Sequence, residues 1–258
     1  MNFPHTQMTV RARRAALAAA MLAALCAAPA HALRPYEGTD ASVAEPGVFE
    51  LELGPLGYIR QGGDRTLVAP SIVGNWGFAG DFEVVLEGRV NRAIGDSDDL
   101  HRTSLGETAF SVKHVLRKGS LQDGGSGVSV AAECGILLPG VNGDDGTGAT
   151  CAAIASQRFE ALTVHLNTAL TRTREHANSR FAGVIVEGKE TELRPVMELF
   201  AERDNRGGRT NSALVGAIWK KSEELSFDLG LRRARSDGEN VSELRLGLTW
   251  SYQMHKKD

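Results

Sequence analysis

Along most of this chain apolar and polar residues alternate one for one. Between Glu243 and Tyr252 the apolar side chains Leu244, Leu246, Leu248, Trp250 and Tyr252 take every second place, with Glu243, Arg245, Gly247 and Thr249 between them. Neighbours on a strand point to opposite faces, so this pattern predicts a strand with one apolar and one polar face. Phe49, Leu51 and Leu53 alternate in the same way with Glu50 and Glu52, and Leu162, Val164 and Leu166 with Thr163, His165 and Asn167. Twelve such segments are predicted, near 48–60, 66–77, 81–92, 105–117, 127–138, 149–158, 161–172, 180–188, 192–203, 211–220, 224–234 and 241–253. Two of them, 192–203 and 211–220, carry apolar residues on both parities.

A soluble β-sandwich also alternates, but its apolar faces meet in a core and its loops have no reason to sort by rim. Here the connections after even-numbered segments are short ("FAGD", "QRFE", "EGKE", "KKSE"), with "KGSLQDGGSG" the exception. Most of those after odd-numbered segments are longer and more polar ("AIGDSDDLHRTS", "PGVNGDDGTG", "RTREHANS", "RDNRGGR", "RSDGEN"). An even number of antiparallel strands with unequal rims predicts an all-β fold, a single antiparallel transmembrane β-barrel of twelve strands. Trp76, Trp219, Trp250 and Tyr252 fall at strand ends on the short-turn rim and Tyr58 at the other, as interfacial aromatics do. The last strand is expected to pair with the first, "GVFELELG", because an open sheet edge has no place in hydrocarbon.

The 29 Gly against 8 Pro, and the lack of any helical period after residue 32, agree with an all-β chain. At the N-terminus Arg11, Arg13 and Arg14 precede the apolar run "AALAAAMLAALCAAPA", which ends in Ala30-His31-Ala32. This predicts a secretory signal peptide over 1–32, a periplasmic lead-in over 33–46 and an outer-membrane barrel over 47–258. Cleavage would leave 26 basic and 32 acidic residues, a mildly acidic mature protein with no basic surface for nucleic acid. The expected partners are outer-membrane lipid, the barrel assembly machinery and a small-molecule solute, with localisation in a bacterial outer membrane.

The first segment and its approach, "TDASVAEPGVFELELG" (Thr39 to Gly54), resembles the start of mature proteins in the outer-membrane transporter family named for the meta-cleavage pathway of phenol degradation. "LSFDLGLRRARSDGENVSELRLGLTWSY" (Leu225 to Tyr252) is similar to that family's closing hairpin. Two features depart from the pattern: Glu107 follows Gly106 where such proteins often carry Gly-Asp, and "QMHKKD" extends beyond Tyr252. The resemblance implies a barrel with a channel or transport role for hydrophobic or aromatic compounds.

Alternation places charges on the lumen face: Glu50, Glu52, Glu83, Glu87, Arg89, Glu107, Lys113, Arg194, Glu198, Asp228, Arg232, Glu243 and Arg245, with His165 among them. An Arg or Lys facing lipid at midplane would cost about 2–4 kcal/mol, so these must point inward. Two readings follow. A polar lumen either selects solutes, as a passive pore or transporter, or is filled by its own salt bridges and serves a structural or surface-interaction role.

No G-x-S-x-G, H-E-x-x-H or C-x-x-C occurs, and no His is followed two places later by Ser as in outer-membrane phospholipases, so no enzyme, cofactor or metal site is expected. "GDSDD" and "GDDGTG" carry carboxylates but lack the spacing of a calcium loop. Cys134 and Cys151 flank "PGVNGDDGTG". A hairpin centred between Val141 and Gly143 sets them directly opposite each other, and a disulfide there is the favoured expectation in an oxidising envelope, with two reduced lipid-facing thiols the alternative.

Overall fold

The computed structural model describes residues 34–95, 103–122, 124–141, 147–173 and 178–254. The expected signal peptide and most of "GDSDD" and "GDDGTG" lie outside these residues. Twelve strands follow in order: β1 (Val48–Gln61), β2 (Asp64–Ala79), β3 (Phe82–Ala93), β4 (Thr103–Arg117), β5 (Ser129–Leu137), β6 (Gly148–Arg158), β7 (Leu162–Thr173), β8 (Asn178–Gly188), β9 (Leu193–Asp204), β10 (Arg209–Lys220), β11 (Leu225–Ser236) and β12 (Glu239–Gln253). Each pairs antiparallel with its sequence neighbours, and β1 closes on β12 with Phe49 opposite Tyr252 and Leu51 opposite Trp250. Closure leaves no strand edge unpaired.

The alternation sorts side chains between lumen and outer surface. Leu86 is 55% exposed and Leu170 61%, whereas Glu52 and Lys113 are 1% exposed. The buried set is dominated by polar and charged side chains and the exposed set by Leu, Ile, Val and aromatics, the inverse of a soluble protein and the surface that lipid covers. Trp76, Phe78, Phe82, Trp219, Phe227, Trp250 and Tyr252 stand exposed toward the rim that holds the start of β1 and the end of β12.

Register shifts at Leu53/Leu56, Val68/Ser71 and Glu87/Arg89 interrupt the pairs β12–β1, β2–β3 and β3–β4, while β1–β2 keeps its register. Pro55 and Pro70, which have no N–H to donate, sit at the first two. In β1 the extra residue resets the parity, so that Leu56 and Tyr58 still face outward beyond it.

Two expectations are corrected. Loop length does not divide the rims cleanly: β11 and β12 are joined by Asp237 and Gly238 alone, because both strands run past the predicted ends into "RSDGEN", while the opposite rim carries the long connection from Lys118 to Val128. Asp237 and Gly238 both adopt positive φ (51° and 87°), which lets the hairpin close in two residues. The lead-in, moreover, does not hang in the periplasm. From Arg34 to Glu45 it runs inside the barrel, bonded to side chains of β2, β3, β4, β6, β7, β8, β9 and β12.

That segment also accounts for the blurred alternation of β9 and β10. Val196 on β9 and Ile218 on β10 are buried on the lumen side and pack with Tyr36, so both faces of these strands need apolar residues, one toward lipid and one toward the segment.

Candidate functional site: the lumen and its N-terminal plug

Residues 34–46 show no strand or helix period, so their backbone N–H groups find no ladder, and each buried one needs a partner. The barrel wall supplies most of the partners. Gly47 donates to Gly77 O (2.7 Å), Ala44 N to Glu83 Oε2 (2.6 Å), and Ala41 N to Ser156 Oγ (3.0 Å). Asn167 clasps Thr39 on both sides, accepting from its N–H at 3.0 Å and donating to its carbonyl at 2.8 Å. Glu198 accepts from the amides of Glu37 and Gly38, and Glu187 accepts from the Tyr36 hydroxyl at 2.8 Å. Arg245 Nη1 donates to Pro35 O (2.8 Å), and Arg34 Nη1 to Ser71 Oγ (2.7 Å). Alanine and glycine let the segment approach the wall: a Cβ on Gly77 would lie 2.2 Å from Ala44 O and 2.3 Å from Glu45 O.

The side chains of the plug add charge to these contacts. Glu37 pairs with Arg245 and reaches Arg232 at 3.9 Å. Those guanidiniums, Arg245 first, hold its carboxyl down at about 2 against burial, which acts the other way. Burial and the neighbouring Glu187 carboxylate push the Tyr36 phenol well above its ordinary value. Lys113, buried on β4, donates to Thr39 Oγ1 at 2.9 Å and lies 3.4 Å from Asp40.

Of the residues expected to line a lumen, Glu83, Lys113, Glu198 and Arg245 are therefore spent largely on the plug. Arg194 bonds Glu187 at 2.7 Å. Asp228 faces Arg34 at 3.7 Å without a hydrogen bond to either of its oxygens. Arg89 and Glu107 pair at 2.5 Å on the wall above the plug, Glu107 at a positive φ of 50° beside the β3–β4 irregularity. Glu87 borders open space. His165 lies 2.9 Å from Ser156 Oγ and 3.9 Å from Glu187. The trio has the composition of a nucleophile, a base and an orienting acid, but Ser156 is 1% exposed and holds the Ala41 amide, and Glu187 is committed to Tyr36 and Arg194. Its role in this arrangement is to seat the plug.

Sequence reasoning missed Glu133, Glu187 and Glu202, which the same alternation rule places on the lumen side, and missed Asn75 because it carries no charge. Arg34, Tyr36, Glu37 and Asp40 gave no signal, since nothing local distinguishes a lumen segment from a solvated lead-in.

The plug does not take up all of the lumen. A cavity of about 420 Å³ borders it, lined by Arg34 and by Tyr36 to Thr39 of the segment and by wall residues of β1 to β9 and β12. Carboxylates Glu52, Glu83, Glu87, Glu107 and Glu133 line the wall side, against the cations Arg34 and Arg89. Thr150, Ala152, Ala169 and Thr171 with Phe181 and Phe200 form the other side, the two rings 5.1 Å apart.

On β5 and β6, Cys134 and Cys151 stand directly opposite each other on the outward face, Cα atoms 4.1 Å apart, joined by a disulfide. The pairing Val130 to Ala155 and Ile136 to Ala149 is that of a hairpin centred on the connecting loop.

With this geometry in view, comparison with solved structures is informative. An outer membrane channel from Pseudomonas putida F1 superposes with a TM-score of 0.60 at 9% identity, over 84% of this chain and 100% of that one. The chain folds like an outer-membrane channel. The KdgM porin (TM-score 0.50, 13% identity, 79% of this chain and 99% of that one) and the CymD monoaromatic hydrocarbon channel (TM-score 0.50, 10% identity, 83% and 90%) share the architecture. No family model matches the sequence, and no curated protein matches it. At these identities the likeness speaks for the fold, not for a solute.

Proposed function

We propose that this protein is a passive pore of a bacterial outer membrane, through which small polar solutes pass beside the N-terminal plug, with cations favoured over anions. The observation that carries the reading is the cavity alongside the plug, along whose wall carboxylates outnumber cations. Rings and rows of charge in a narrow passage set ion preference. The channel folds of the structural neighbours support a conducting role in general. For the hydrophobic or aromatic solutes that the family resemblance implies, the cavity offers Phe181, Phe200 and a few valines beside many charges, a lining that favours polar solutes.

Proteoliposome swelling tests this directly. Vesicles carrying the protein are expected to admit a small neutral solute such as glycine at a rate that rises with protein content and falls steeply with solute size. Swelling no faster than in empty vesicles would favour the alternative, a non-conducting structural barrel whose plug closes the lumen.

A further inference from the structure

One stretch of the cavity wall holds acceptors that the described residues leave partly unmet. Glu52 on β1, Val73 on β2 and Glu87 on β3 are adjacent across the sheet, Glu52 opposite Val73 and Val73 opposite Glu87. One lumen position nearer the periplasm, Asn75 stands opposite Val85. Asn75 Nδ2 donates to Glu52 Oε1 at 2.8 Å, which fixes the amide's orientation. Its Oδ1 then has no hydrogen-bond partner although the residue is 1% exposed, and Asn75 borders the cavity. Glu87 makes no hydrogen bond or ion pair among the described residues and opens onto the same cavity.

The neighbouring cations are engaged elsewhere. Arg34 is on Ser71 and faces Asp228, Arg89 is held by Glu107, and Lys113 is on Thr39 and Asp40. A buried acceptor left unpaired is costly, so what completes this wall is a donor. Its two carboxyl ends are two strand spacings apart, about 9–10 Å between Cα atoms. Between them lie Val73 and Val85, an apolar floor with no hydrogen-bonding group to offer.

We infer that this wall is a binding site for short aliphatic α,ω-diammonium ions. One ammonium sits on Glu52 and Asn75 Oδ1, the other on Glu87, and the methylene chain lies over Val73 and Val85. The inference rests on the cavity also used by the proposed pore, but it concerns binding and does not require conduction. A simple metal cation satisfies the carboxylates and gains nothing from the valines. A monoamine uses one end only. An anion of the same length is repelled.

Calorimetric titration of the detergent-solubilised protein separates the two readings. With 1,5-diaminopentane as the probe, binding at least ten-fold tighter than that of pentylamine is expected, with none detected for pentanoate. Glu87→Gln is the informative variant, since its side chain lies at the open face of the cavity; it should bring the diamine down to the affinity of the monoamine. Asn75→Leu tests the other end and should weaken both amines several-fold. A diamine no tighter than the monoamine, a Glu87→Gln variant that keeps the difference, or displacement of the diamine by an equal concentration of Mg²⁺ would each overturn the site. Diamine binding by a protein that fails to swell vesicles would retain the site and refute the pore; swelling without diamine preference would do the reverse.

Discussion

Glu37 is one of the residues through which charge holds the plug, beside Asp40 on Lys113 and Arg34 facing Asp228. Its carboxylate meets Arg245 and Arg232, and its own amide is held by Glu198. Because its carboxyl is held at about 2 in the folded protein, below its ordinary 4.5, the charge stabilises the seated plug fully above 4.5 and that contribution is lost as pH falls through about 2. Hydrogen exchange of the amides of Gly38 and Thr39 should therefore show protection surviving at pH 4 and failing toward pH 2. Glu37→Gln should speed exchange at these amides about five-fold at pH 7, about 1 kcal/mol for a charged hydrogen bond discounted for its partial exposure to lumen water. Unchanged protection in the variant would mean that backbone contacts alone seat the segment. None of this was readable from the sequence, where Glu37 is one acid in a polar run without periodicity.

Among the elements, the strands were the most legible, because a barrel wall in lipid tolerates few exceptions to alternation. The exceptions themselves have causes: β9 and β10 carry lumen-side apolar residues for Tyr36, and β1 carries an extra residue where its register shifts. The plug was illegible because, apart from local bonds such as that of Ser42 to Asp40, its contacts run to side chains 37 to 210 positions away. Two predictions belong at this scale. Gly77→Ala would drive a methyl into the carbonyls of Ala44 and Glu45, so exchange at the Ala44 amide should accelerate while the heat-induced gel shift of the barrel stays near that of the wild type. The β5–β6 hairpin is cross-linked on its outward face, and replacing Cys134 and Cys151 together by alanine should cost roughly 3 kcal/mol in the chain-entropy account, read as a lower urea midpoint from lipid vesicles. An unchanged midpoint would assign the hairpin's stability to its strand pairing alone.

As a whole molecule, the protein is a closed wall with an apolar exterior, a charged interior, and its own N-terminal segment bonded to strands around the lumen. The outer face and the closure of β1 on β12 followed from the sequence because hydrocarbon allows no unpaired edge. The cavity beside the plug did not, because its position depends on where the plug lies, and only the lumen carboxylates carried a trace of it. If solutes pass there, the carboxylate row sets the ion preference, and Glu87, which has no ion pair among the described residues, contributes most openly. The direct measurement is the reversal potential of the protein in a planar bilayer under a KCl gradient. The expected result is a steady conductance that favours K⁺ over Cl⁻, with the preference reduced several-fold by Glu87→Gln. A silent bilayer, or a channel that favours Cl⁻ or is indifferent to Glu87→Gln, would contradict the account.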